Sequence, residues 1–167
     1  MPLLKNGAII ADVWTNVADD DDLPEQGPLI VSLQRWRETK VTLLARGWPL
    51  GVRLTAEQTP GEIADDLEHL DLVALAFPVF TDGRSYSNAR RLRERYAFKG
   101  EVRAIGDILR DQYLAYRRCG FDAMEVAEGE TTEDWAAAVS AITTPMQPAT
   151  DNASSAMSLR ERRAAVC

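Results

Sequence analysis

The chain has 167 residues, 46% apolar and 27% charged, with 26 acidic against 19 basic side chains and a formal net charge of −7. That length and composition suit a soluble globular protein with a real hydrophobic core. The acidic balance speaks against broad binding to nucleic acid or an anionic membrane, since both need clustered positive charge. No run approaches the ~18 apolar residues of a membrane span, and the start MPLLKNGAIIADVW lacks the apolar core of a signal peptide. The expected location is the cytoplasm.

Cys119 and Cys167 are the two cysteines and His69 the one histidine, with no CxxC spacing, so neither a disulfide framework nor a metal site is expected. Taken in order, residues 3–14 alternate around Asn6-Gly7, the signature of a β-hairpin with a type I′ turn. The acidic run Asp19–Asp22 lacks the ligand spacing of a calcium loop and reads as a solvated linker. Leu29–Val31 predicts a short strand, and Ser32 caps a helix to about Arg46, with Leu33, Trp36, Leu43 and Leu44 inward and Gly47 as the stop. Leu50–Thr55 is a second strand. Thr59-Pro60-Gly61-Glu62 is a helix start with a capping box, and Ile63, Leu67 and Leu70 then share one face.

The stretch Leu72–Val126 carries most of the polar side chains with chemical potential. It reads as a buried strand Leu72–Phe77, a loop Phe80–Ser87, a helix capped by Ser87 with Ala89, Leu92 and Tyr96 inward, and a strand Val102–Ile105. Asp107 then caps a helix over 108–118, with Leu109, Tyr113 and Tyr116 inward and Gly120 just past its end, before a last strand Phe121–Val126. Thr131–Asp134 opens a final helix with Trp135, Ala138, Val139 and Ile142 on one face, ended by Pro145. The fold class is α/β: about five strand–helix units in a mainly parallel sheet with flanking helices, preceded by the N-terminal hairpin. Residues 1–145 form the expected domain. The polar, small-residue segment 146–167 is expected to be a flexible tail with a helical turn at Leu159–Ala165.

In a parallel sheet, ligands gather beyond the carboxyl ends of the strands. The loop there offers Asp82, Gly83, Arg84, Ser85 and Ser87, with helix N-terminal amides: a set suited to a small anion. Asp107, Arg110 and Asp111 form a second charged cluster beside it. Each has a bland alternative, since Asp107 serves as a cap, Asp82 as the partner of Arg84, and Arg90 with Glu94 as a surface ion pair. Cys119 precedes a helix-ending glycine, where the helix dipole raises a thiol pKa, so it reads as a packed residue and not a nucleophile. GxGxxG, GxxxxGK[ST], HExxH and GxSxG are all absent, and no cofactor is evident. No residue is assigned a catalytic role.

The segments FTDGRSYSNARRLRERY, GDILRDQ and RCGFDAM, with LLKNGAIIADVW and LLARGWPLGVRL before them, closely resemble the bacterial DUF934 proteins over residues 2–143. The chain departs from the family pattern at Ser85, where glycine is usual, and at Met124, where phenylalanine is usual. The resemblance implies a role in assimilatory sulfate and sulfite reduction, and so in cysteine biosynthesis, as an oxidoreductase or an accessory protein. Sulfite reductase, its electron donor or another enzyme of sulfate assimilation is the implied partner, and a small sulfur oxyanion or sulfonucleotide the implied ligand.

Overall fold

The computed structural model describes residues 2–140, 146, 149–150 and 155–164. Asn6 and Gly7 take left-handed φ angles of 53° and 79° and turn β1 (Leu3–Lys5) into β2 (Ala8–Ile10). Six strands follow: β3 (Thr15–Asn16), β4 (Leu29–Ser32), β5 (Leu50–Leu54), β6 (Leu72–Phe77), β7 (Glu101–Gly106) and β8 (Ala123–Glu125). Together they form one eight-stranded sheet in the order β2-β1-β8-β7-β6-β5-β4-β3. Pairing is parallel from β3 to β8 and antiparallel where β1 meets β8 and β2. The sheet is therefore mixed, a correction to the mainly parallel expectation. The expected N-terminal hairpin forms, and it doubles back to join the same sheet beside β8.

Four α-helices follow strands: α1 (Leu33–Ala45), α2 (Arg84–Glu94), α3 (Tyr113–Cys119) and α4 (Thr132–Ser140). The connection after β5, Pro60–His69, is a 3₁₀ helix, so the expected series of about five strand–helix units is interrupted there. A further helix, α5 (Ala156–Ala164), extends the turn expected near Leu159. Thr150 reaches back to the Arg118 carbonyl at 2.7 Å. Ile142, Pro145, Ala165, Cys167 and the side chain of Val139 lie outside the described residues. No described helix is long and apolar enough to cross a membrane. Among the described residues, no group of three or more His, Cys, Asp or Glu is placed to hold a metal ion.

The sheet curls. Its edge strands β2 and β3 are joined by residues 11–14 alone. Laid flat, eight strands would separate those edges by roughly 34 Å, and a link of that length reaches at most about 18 Å. Two inward contacts confirm the curvature. Asp12, in the link, meets Arg103 of β7 at 2.6 Å, and Asn16 of β3 hydrogen-bonds Glu125 of β8 although four strands lie between them in the order.

Because β4 to β8 follow one another in space, each right-handed crossover puts its helix on the same face. That face holds the main core. Leu29, Val31, Leu50, Val52, Leu54, Val73, Leu75, Phe77, Val102, Ala104 and Met124 meet Trp36, Ile63, Leu92, Tyr116 and Trp135. The opposite, concave face carries a smaller apolar set, Ile30, Leu72, Ala74 and Ile105, against which Trp14 packs. It also carries Arg103, fully buried, bonded through Nε to Glu101 at 2.8 Å and through Nη1 to Asp12. Glu101 also takes Lys5 at 2.7 Å. Burial pushes the Glu125 carboxyl above its ordinary value, and the nearby Asp12 adds to this while Arg103 opposes it.

Local expectations fare unevenly, for physical reasons. Ser32 caps α1 by accepting the Arg35 amide at 3.0 Å, and Gly120 closes α3 at φ 99°. Leu44, expected inward, is 37% exposed, because Thr39 breaks the helical geometry midway and rotates the last turns. The acidic run is ordered by a cation from the protein itself: Arg35 donates to the carbonyls of Ala18, Asp19 and Asp21. α2 begins at Arg84 behind Gly83, so Ser87 lies within the helix and is not its cap. Tyr96 falls beyond its end. Asp107 does not cap the following helix either; a 3₁₀ turn, Arg110–Gln112, precedes α3, and Leu109 stands at its start.

Two outcomes test this account of the concave face. Arg103→Met leaves the Asp12 carboxylate without its cation and Glu101 with Lys5 alone, and should lower the unfolding free energy by about 3–5 kcal/mol, whereas Arg90→Ala, on an exposed helix pair, should cost under about 0.5 kcal/mol; urea titration reads both. A raised carboxyl pKa in the folded state gives stability that is present at acid pH and lost as pH rises through the folded value. Glu125→Gln should therefore raise the melting temperature, relative to wild type, more at pH 8 than at pH 4, and the reverse order would contradict the assignment.

Candidate functional site

The exits of β5, β6 and β7 lie at one rim of the sheet. After β6 the chain makes a turn in which Asp82 accepts the Arg84 amide at 3.1 Å and grips the guanidinium at Nε (3.0 Å) and Nη2 (2.6 Å). These contacts hold the Asp82 carboxyl below its usual range and keep Arg84 firmly protonated. Gly83 precedes the first turn of α2 without supplying a side-chain cap.

Along α2, Arg84, Ser87, Asn88 and Arg91 recur at i, i+3, i+4 and i+7 and so share one face. That face lines a cavity of about 330 Å³ whose opposite wall is the β5 exit loop with Ala56, Glu57 and Thr59. Asn88, 4% exposed, ties the walls together by donating to the Gln58 carbonyl at 3.0 Å. Arg84 spends Nε and Nη2 on Asp82 and retains Nη1. Arg91 is exposed and has no side-chain hydrogen bond or ion pair among the described residues. The cavity thus offers two guanidinium groups, two hydroxyls and an amide near a helix N-terminus, with Glu57 as the facing carboxylate. A larger cavity, about 460 Å³, lies at the amino ends of β6 and β7, walled by Leu67, Tyr96 and Phe98. It is away from the rim where parallel sheets present ligands.

The other anticipated residues separate. Ser85 is buried and donates to the Ala76 carbonyl at 2.6 Å. It sits in regular helix, so this position needs no left-handed backbone and the serine is accommodated as a core hydrogen bond. Asp107 accepts the Phe80 amide at 2.9 Å, while its own amide bonds the Phe77 carbonyl, fastening the β7 exit to the β6 exit. Gly106 permits this: a Cβ there would meet the Phe77 carbonyl oxygen at 2.4 Å. Arg110 turns away toward α4, meeting Asp134 in its first turn at 3.6 Å and Glu130 just before it at 3.8 Å. Asp111 is exposed. The second charged cluster therefore does not assemble beside the first.

Several residues of the rim were not singled out from sequence as site residues. Arg91, Asn88, Thr59 and Glu57 line the cavity, and the helical spacing of the first two with Arg84 was the available signal. Gln112 is another. Its carbonyl oxygen accepts both Tyr86 (3.1 Å) and Tyr116 (3.0 Å), and its amide donates to the Phe80 carbonyl at 3.3 Å. Burial pushes both tyrosines' pKa upward, so they remain neutral hydroxyl donors stacked 5.2 Å apart. The clamp from Asp107 and Gln112 holds a loop whose Val79 and Phe80 side chains stand 51% and 44% exposed. Cys119 is half-buried, and burial raises its thiol pKa, the opposite of what a nucleophile requires.

The chain belongs to DUF934, a family of bacterial proteins of unknown function, whose family model matches residues 51–157. The match runs from β5 through the start of α5, so it includes the whole cavity, while the N-terminal hairpin and α1 lie outside it. No curated protein matches the chain.

Proposed function

We propose that the protein serves assimilatory sulfite reduction as an accessory component that holds a small sulfur oxyanion or sulfonucleotide in the Arg84–Arg91 cavity. The observation that carries this reading is the pairing of two arginines on one helical stripe over a polar cavity, one of them without a counter-ion among the described residues. A forked guanidinium and a helix N-terminus both favour a tetrahedral or pyramidal oxyanion. The pathway comes from the DUF934 resemblance, and the oxidoreductase description attaches to the reductase the protein would serve.

Asp82 sets the affinity in this scheme. It occupies most of the Arg84 fork, so an incoming anion meets Arg91 first and draws on Arg84 through Nη1. A second reading rests on the clamped loop: exposed Val79 and Phe80 beside arginines form an apolar tip with a basic flank, a suitable contact for the reductase or its electron donor. Salt-sensitive capture of sulfite reductase, lost in Phe80→Ser, supports docking; capture unchanged by that substitution counts against it.

Calorimetric titration with sulfite, sulfate and adenosine 5′-phosphosulfate tests the first reading. Arg91→Ala should weaken binding at least tenfold, the loss of about one charge-assisted contact. Asp82→Asn should tighten it by releasing Arg84. Binding indifferent to Arg91→Ala would place the ligand elsewhere.

A further inference from the structure

The concave face holds a second set of cations, unconnected with the Arg84–Arg91 cavity. Register places Ser32, Arg53, Ala74, Arg103, Ala123 and Lys5 in one row across β4, β5, β6, β7, β8 and β1. Cationic and small residues alternate along it. Arg53 belongs to this face because Leu50, Val52 and Leu54 enter the helix-side core, while a Cβ on Gly51 would meet Leu72 and Ile30 of the concave side. Arg53 of β5 and Arg103 of β7 thus flank Ala74 of β6 from either side, their backbones roughly 9.6 Å apart, a span that two arginine side chains can close on one small anion.

Donor capacity there is unfilled. Arg103 is fully buried, and its Nη2 has no hydrogen-bond partner among the described residues. Buried guanidinium nitrogens are ordinarily satisfied, and leaving one bare costs free energy. Arg53 is half-buried and has no side-chain partner among the described residues. The neighbouring charges do not supply the missing acceptor. Asp12 and Glu101 are engaged with Arg103 and Lys5, and Glu125 stands 4.0 Å from Nη1. Lys5, Arg53 and Arg103 face Asp12, Glu101 and Glu125, and Glu125 is the carboxyl that burial drives toward its neutral form.

We propose that this row is a binding site for a small monoanionic carboxylate, held between Arg103 Nη2 and Arg53 above Ala74. Trp14 supplies an apolar wall and residues 11–14 run over it. The half-exposed Arg53 marks the side from which the anion enters.

Sodium acetate is the probe, with sodium chloride at equal ionic strength as the control. The readouts are the melting temperature and the arginine Nε–Hε resonances of the full chain. The expected result is a saturable, acetate-specific stabilisation and a shift of the Arg53 resonance. In Arg53→Met the acetate Kd rises at least tenfold, while melting without acetate stays close to wild type because Arg53 has no partner to lose. Arg91→Ala, which strips the outer cavity, should leave the acetate response intact. The proposal is overturned if acetate acts no differently from chloride, if Arg53→Met responds like wild type, or if Arg91→Ala abolishes the response.

Discussion

The contact on which the architecture turns is the ion pair between Asp12 and Arg103. It fastens the short link between the two outermost strands to the middle of the sheet they bound. A link of that length forces the sheet to curl, and curling brings side chains from strands distant in the order into one interior. That interior is lined by Trp14 and by charges that compensate one another, which makes removal of either partner costly although the pair itself need add little to stability.

Curvature in turn fixes where chemistry can occur. With the crossover helices between β4 and β8 on the convex face, the exits of β5, β6 and β7 gather at one rim, and α2 lies along it with its polar stripe toward the β5 loop. Gly106 and Asp107 bring the neighbouring exit close enough to fasten the Phe80 loop, and Gln112 completes that clamp from the start of α3. The rim is thus a set of short hydrogen-bonded exits on a rigid core, while the guanidinium of Arg91 is left to solvent.

Local chemistry was legible in the sequence wherever a residue acts on its own neighbours. The Asn6-Gly7 turn, the Ser32 cap, the Gly120 stop and the apolar run of β6 all follow from backbone preferences and periodicity. What depends on partners far along the chain was not legible. The hairpin's return to pair with β8, the two-residue strand β3 and the burial of Arg103 are set by tertiary pairing that no local pattern encodes. The site divides the same way. Asp82 and Arg84 were visible as a close pair, whereas Arg110 could be placed only by knowing that α4 packs against it, and Arg91 only by laying the helix face against the β5 loop.

Amide hydrogen exchange with and without saturating sulfite tests the central claim most directly, because it locates an anion without assuming which residue holds it. Slowed exchange confined to residues 56–59 and the first two turns of α2 is the predicted result. Protection centred instead on the 460 Å³ cavity beside Tyr96, or none anywhere, would contradict it.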